Sequence, residues 1–307
     1  MLDTVRLKFP ISPNPEQLQY WTHKTSTTET HGLKEYFLFN PIITNDGVML
    51  KYTYYPLGYD TNPLLTLECS LPKLIYGNNY QMLLSIDRSI EAANKKLANV
   101  PHAPILDLAE GVLIRLDMCY NHQVGENVND YLKPLSNLDY PHRRTKYHRG
   151  EGVEFKALHI TTKFYNKQHE TENAKAFGIL RQETTLMNGK AIQSILGKKK
   201  PKLLDVSRDF VMNYLNNDLK KLTLFENYIG TRSTILKMLC DTYGSDAGFC
   251  YLGILVSKMD RSRKQLALET KTHPRSLDRR LKKIIDARIP LTMTDREEPL
   301  PPLIISL

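Results

Sequence analysis

The sequence predicts an α+β fold: a mostly antiparallel sheet with helices packed on one face, followed by a mainly helical C-terminal domain with a helix-turn-helix-like segment. Three observations predict it. Short segments of alternating apolar and polar residues recur through the first 200 residues. Two stripes at helical spacing interrupt them without a regular βαβα rhythm, and from Leu203 onward the periodicity is helical. The basic stretch 198–202 (KKKPK) reads as a linker, which sets the expected domains at 1–200 and 203–307.

Taken along the chain, residues 1–9, 51–55 and 64–70 alternate as strands. Met82, Ile86, Ile90, Ala93 and Leu97 predict a helix over 80–99. Val128, Tyr131, Leu132 and Leu135 predict a second, shorter one over 126–137, which Pro134 kinks or ends. Three more strands are expected at 112–120, 158–167 and 179–186. Beyond the linker, Val206, Phe210 and Tyr214 with Val211, Leu215 and Leu219 mark one long amphipathic helix. Residues 262–285 read as helix, turn, helix, and the tail PLPPLIISL reads as extended.

Composition removes several classes. A hydrophobic fraction of 41% with 24% charged residues belongs to a globular chain rather than a disordered one, and 307 residues can bury a core without staples. Cys69, Cys119, Cys240 and Cys250 form no C-x-x-C pair, which argues against structural zinc or a disulfide framework and for reduced thiols in a cytosol. The opening MLDTVRLKFP has no apolar stretch of a signal peptide. The longest uncharged apolar run, 249–256, is far short of the ~20 residues that span a bilayer. Membrane, secreted and fibrous readings therefore drop out.

The formal charge of +9 is uneven. Residues 260–288 hold ten basic and four acidic side chains, a net of +6. Smaller clusters lie at Arg143, Arg144, Lys146 and Arg149, and at Lys198, Lys199 and Lys200. Localised positive charge of this kind suits a polyanionic partner, nucleic acid above all.

The segments 112–186 carry the chemistry. Alternate strand residues point to opposite faces, so Arg115 and Asp117 share the face away from Val112, Ile114, Leu116 and Met118. In the next strand His159, Thr161, Lys163, Tyr165 and Lys167 share a face, and in the third Arg181 and Glu183 do. If the three strands are neighbours, one face presents two carboxylates, a tyrosine and several cations. Converging carboxylates suit a hard divalent cation. A phenol of ordinary pKa near ~10 needs help to ionise, which a metal and Lys163 and Lys167 would give. Tyrosine, metal and cations together suit phosphoryl transfer from DNA. The competing reading is an ordinary exposed sheet face lined with cross-strand charge pairs.

The strings RLD (115–117), KFYNKQHE (163–170) and RQETTL (181–186), in that order, resemble the rolling-circle replication initiators related to the filamentous-phage gene-two nicking protein. Those proteins carry an Arg-x-Asp strand, a Tyr-x-Lys strand and an Arg-x-Glu strand. The opening MLDTVRLKF and the segment LTLECSLPKLIYGNN are similar too, so the resemblance covers roughly residues 1–197. It implies a Rep/relaxase-like nuclease domain that nicks and rejoins one DNA strand at an origin, in the cytoplasm of a bacterial host. Tyr165 would form a 5′-phosphotyrosine bond, with Lys163 and Lys167 beside it. Asp117 and Glu183 would hold Mg²⁺ or Mn²⁺, with Glu68 as a third ligand. Arg115, Arg181, Arg143, Arg144 and Lys146 would contact DNA, and the freed 3′-hydroxyl would prime a host polymerase. A host helicase and an oligomer are further expected partners.

Two departures stand out. The His-hydrophobe-His metal motif common in the wider superfamily is absent, and Gln182 stands where relatives tend to have an aromatic or apolar residue. No second tyrosine lies beside Tyr165 on its strand, so termination would draw on Tyr147, a water molecule or a second subunit. In the C-terminal region, 276–281 resembles the front of a recognition helix, with Arg275, Arg279, Arg280, Lys282 and Lys283 facing single- or double-stranded DNA and Lys271 replacing the usual turn glycine. A basic hairpin that merely packs on the catalytic domain is the alternative there. For the whole chain the alternatives are a non-catalytic origin- or operator-binding protein, and a mobilisation relaxase with the same chemistry.

Overall fold

The computed structural model describes every residue except 29–31, 45–46, 58–61, 84, 149, 223–228, 261–262 and 306–307. Arg149 and the first residue of the 262–285 reading therefore lie outside the described residues. The chain opens with β1 (Leu2–Phe9), the single turn α1 (Pro15–Leu18), β2 (Thr22–Thr28), β3 (Gly32–Phe39), β4 (Ile42–Thr44), β5 (Gly47–Val48), β6 (Leu50–Tyr55) and β7 (Leu64–Ser70). Helices α2 (Leu71–Tyr76) and α3 (Ile86–Ala98) follow, then β8 (Val112–Gln123), α4 (Val128–Ser136), β9 (Arg144–His148), β10 (Gly152–Lys156) and β11 (Ile160–Asn166). After α5 (Lys167–Thr171), β12 (Ile179–Leu186) and α6 (Gly189–Leu196) the chain becomes helical. That part holds α7 (Arg208–Lys221), the short β13 (Gly230–Thr231), α8 (Arg232–Tyr243), α9 (Ser245–Asp260), α10 (Arg263–Glu269), α11 (Pro274–Asp286) and β14 (Met293–Thr294).

Ten strands form one large antiparallel sheet in the order β2-β3-β6-β7-β1-β8-β12-β11-β10-β9. The α+β expectation holds. Contacts divide the chain into two compact units, 1–120 with 159–161 and 183–212, and 121–158 with 162–182 and 213–307. Among the described residues no helix is long and apolar enough to cross a membrane.

In the first unit, period-two alternation decides the packing. Val5, Leu7 and Phe9 of β1, Leu65 and Leu67 of β7 and Tyr52 of β6 are buried. Helix α2 packs on β1 and β7, and α3 packs on α2. Each such apolar side chain contributes roughly 1.5–3 kcal/mol on burial. Helix α3 starts at Ile86 rather than 80 because the Ser85 side chain caps it, accepting from the Arg88 N–H. The basic stretch expected as a linker is pinned inside this unit. Lys198 pairs with Asp205 at 2.6 Å, Lys202 with Glu110 at 2.6 Å, and the Leu113 N–H donates to the Pro201 carbonyl at 2.7 Å.

The second unit is held by a buried polar network as well as by apolar burial. Asp218 of α7 is fully buried and accepts from the Tyr140 hydroxyl at 2.6 Å and the Thr162 hydroxyl at 2.9 Å. Pro134 lies in the last turn of α4, which ends at Ser136, so it forfeits a single backbone bond. Helices α10 and α11 are joined by a four-residue turn whose Lys271 adopts φ 51°, the left-handed conformation a glycine usually supplies. His273 caps α11 by accepting from the Arg275 N–H at 3.2 Å. In the described part of the tail, 299–305, no helix forms; Leu300 and Leu303 are buried, and the Tyr131 hydroxyl donates to the Pro301 carbonyl.

Gln182 is explained by this packing. Its amide nitrogen donates to the Leu215 carbonyl of α7 at 2.9 Å, and its Oε1 lies 3.1 Å from His122 Nε2. Burial pushes His122 down to about 4, with the Gln182 and Ile304 hydrogen bonds opposing. A histidine buried in its neutral form takes its proton more readily in the unfolded chain. Stability is therefore full above about pH 6.5 and falls toward pH 4 by up to roughly 3 kcal/mol from this group. Urea midpoints at pH 7 and pH 4.5 are expected to show that drop, and His122→Gln is expected to shrink it.

Candidate active site

A ladder of arginines and carboxylates crosses three strands of the first unit. The register sets Arg6 opposite both Glu68 and Arg115. Arg6 donates to one Glu68 oxygen, and Arg115 Nη1 donates to the other at 2.8 Å. The remaining Arg115 donors, Nε and Nη2, grip Asp117 at 3.1 and 2.8 Å. The fork geometry suits a carboxylate and makes these strong pairs.

Asp117 is almost wholly buried, at 3% exposure, and its carboxyl is pushed up to about 6. Burial is the main cause. The charges of Glu183 and Asp3 add to it, against the pull of Arg115. Asp3 was not expected here, because strict alternation puts it in phase with Val5 and Leu7, on the covered face. A bulge between Leu2 and Val5 breaks that phase, and the Ser70 hydroxyl then donates to Asp3 at 2.7 Å. An acid in the apolar phase of β1 was the signal available in the sequence.

Glu183 is the exception on its own strand. Every other residue of β12 is buried, while Glu183 is half-buried. Asp117 and Glu183, with Asp3 nearby, are hard oxygen donors in a place of excess negative charge, which fits a divalent cation. Glu68 divides its two oxygens between Arg6 and Arg115, and Asp117 gives both of its own to Arg115, so either carboxylate would exchange a guanidinium contact to take a metal. Among the described residues no three His, Cys, Asp or Glu side chains make a ready metal cage.

In the second unit, β11 alternates as expected near its end. Thr162 and Phe164 are buried, and Lys163 and Tyr165 are half-buried on the opposite face. Gly152 of β10 allows the close approach that seats this strand. A Cβ there would lie 2.7 Å from the Phe164 carbonyl oxygen and 2.8 Å from the Tyr165 Cβ. Lys167 departs from the expected face because the chain has already turned into α5, capped by the Asn166 side chain. Its Nζ pairs with Glu170 at 2.7 Å and lies 5.5 Å from the Tyr165 ring centroid, in a fully buried position.

The expected DNA contacts separate by burial. Arg181 is fully buried, with Nη1 3.4 Å from Asn121 Oδ1, because β12 is covered on both faces. Arg143 lies over the Tyr140 ring at 3.6 Å, donates to Thr162 at 2.5 Å and stands 3.9 Å from Asp218, its side chain only 6% exposed. Arg115 spends its donors on Asp117 and Glu68. None of these three is a surface cation for phosphate. Arg144 and Lys146 of β9 are exposed, as are Arg275, Arg279, Arg280, Lys282 and Lys283, while Leu277, Leu281 and Ile284 anchor α11.

The family model for the N-terminal part of the gene-two replication-associated protein matches residues 1–206. Among solved structures, the rolling circle replication initiator protein from Geobacillus stearothermophilus is similar at 14% identity and a TM-score of 0.34, covering 71% of this chain and 95% of that one. A comparison of the sequence with curated proteins gives no match.

The burial difference between neighbouring arginines is directly testable. Arg143→Ala is expected to destabilise the fold by roughly 3 kcal/mol, because it strips a buried carboxylate network of its cation. Arg144→Ala with Lys146→Ala is expected to leave the urea midpoint nearly unchanged and to lower the salt dependence of DNA binding by about 1–2 in slope.

Proposed function

The chain belongs to the family defined by the N-terminal domain of the gene-two replication-associated protein, the rolling-circle replication initiators, and from that premise we propose that it nicks and rejoins one strand of origin DNA through Tyr165. The observation that carries the reading is the family match over residues 1–206, which contains Tyr165, the buried Asp117 held by Arg115, and the half-buried Glu183.

In this reading Tyr165 loses its phenolic proton and its oxygen attacks the scissile phosphorus. A P–O bond forms to the tyrosine as the bond to the 3′ oxygen breaks, and that oxygen leaves as a 3′-hydroxyl once protonated. Rejoining is the reverse, the 3′-hydroxyl displacing the tyrosine. Lys163, two residues before Tyr165 on the same strand face, supplies positive charge to the phenolate or the phosphate. Asp117 and Glu183 would hold Mg²⁺ or Mn²⁺, and such an ion polarises a phosphate when bound. Arg115 keeps Asp117 ionised and oriented. The 3′-hydroxyl is the primer a host polymerase would extend.

The exposed arginines and lysines of α11 would recognise duplex DNA at the origin, leaving cleavage to the sheet. A metal-dependent adduct assay on a denaturing gel, with a single-stranded oligonucleotide from the protein's own replicon, tests the reading. Tyr165→Phe is expected to abolish the covalent adduct while keeping DNA affinity within about twofold. Asp117→Asn and Glu183→Gln are expected to lower adduct formation at least a hundredfold with binding retained. Binding without adduct under any divalent ion would instead leave a non-catalytic origin-binding protein.

A further inference from the structure

The face of the first unit opposite α2 and α3 carries a pattern that neither the carboxylates nor the core uses. Register places Lys24 opposite Tyr36 and Ser26 opposite Lys34 between β2 and β3. Between β6 and β7, Lys51 stands opposite Glu68 and Tyr55 opposite Leu64. Between β1 and β7, Lys8 stands opposite Thr66. These residues share one face, since their strand neighbours Tyr52, Tyr54, Leu65, Leu67, Val5 and Leu7 are the buried ones.

The chemistry of this face is uniform. Lys8, Lys24 and Lys51 are exposed, and among the described residues none of the three has an ion pair. Tyr36 and Tyr55 are half-exposed, with ring centroids 5.9 Å apart and planes 36° to each other. Along the described positions of this face on β2, β3, β6, β7 and β1, Glu68 is the acid, and Arg6 and Arg115 already neutralise it. Glu35 lies on the other face, near His23. Five strands at about 4.8 Å spacing give a positively charged surface about 19 Å across, which ends at the Arg6–Glu68–Arg115 ladder.

We infer that this open face of β2, β3, β6, β7 and β1 is a track for single-stranded DNA, on which unpaired bases stack on Tyr36 and Tyr55 while Lys24, Lys51 and Lys8 follow the phosphates. The inference deepens the initiator reading and rests on it for the choice of DNA. Charge alone would serve a duplex equally well. Paired aromatic rings on a sheet favour unpaired bases, because only an unpaired base can offer its face to a ring. The lysines contribute without sequence preference, so the track would hold any strand opened near a cut.

Fluorescence anisotropy of the full chain with labelled dT20 and with a mixed-sequence duplex tests this, comparing wild type, Tyr36→Ala with Tyr55→Ala, and Lys24→Gln with Lys51→Gln. Thermal unfolding checks that each variant folds, and the lysine pair, being exposed, stands in if the tyrosine pair does not fold. Both pairs are expected to weaken dT20 binding about tenfold, the lysine pair also lowering the salt slope by about 1.4, with duplex binding within about twofold of wild type. Unchanged dT20 binding in both variants overturns the inference, as does equal loss on dT20 and duplex. The adduct assay on the same preparations separates the two readings. Wild type that makes the adduct while the variants bind dT20 normally removes the track alone. Wild type that makes no adduct while the variants lose dT20 removes the nicking reading and keeps the track.

Discussion

A single guanidinium, that of Arg115, governs the chemistry of the first unit. Asp117 and Glu68 sit on strands of one sheet with β1 between them, and burial first, then the charges of Glu183 and Asp3, raise the Asp117 carboxyl to about 6. Such a concentration of buried negative charge is tolerable only with a cation that can grip more than one carboxylate at once. Arg115 does so with a fork on Asp117 and its remaining nitrogen on Glu68, and Arg6 neutralises the other Glu68 oxygen. Lysine in that place would have one point of charge where three directed donors are needed.

The same unit shows how a sheet divides its labour between faces. Its covered face is a conventional apolar core under two helices, and that core fixes the strands. The fixed strands then hold the other face in register, so Arg6 meets Glu68 and Tyr36 meets Tyr55. The faces exchange roles where the pairing of β1 with β8 shifts register, between Leu2 and Val5 and again between Arg6 and Leu7. The first of these shifts turns Asp3 from the core phase toward the carboxylates.

The second unit solves a different problem. Tyr165 lies on a strand whose neighbour must approach closely, and Gly152 permits it by having no side chain to clash. Beneath, Asp218, Thr162, Tyr140 and Arg143 tie helix α7 to the strand that bears the tyrosine. Burial there, and the charge and hydrogen bond of Asp218, raise the Tyr140 phenol far above its ordinary range, so Tyr140 serves as a permanent hydrogen-bond donor. The network is rigid because each polar group has its partner inside a medium of low dielectric.

Strand periodicity, helix stripes and turn residues are local properties, and the sequence by itself determined those: β1, β7 and β12 fall where alternation put them, and Leu277 and Leu281 face inward on α11 as their spacing requires. The ordered Arg-x-Asp, Tyr-x-Lys and Arg-x-Glu strings also identified the family. Burial of the second face did not follow, because alternation assigns sides without saying what covers each side. Arg181 therefore read as a surface cation and is wholly enclosed, while Arg143 and Arg144, adjacent in sequence, have opposite surroundings. Lys167 read as the last residue of a strand, but the strand ends at Asn166 and Lys167 opens α5, a helix the periodicity did not indicate. Only the tertiary structure decided these, and it brought Asp3 to Asp117: the acid in the apolar phase of β1 marks an irregularity, but the bulge itself is set by the register of β1 against β8.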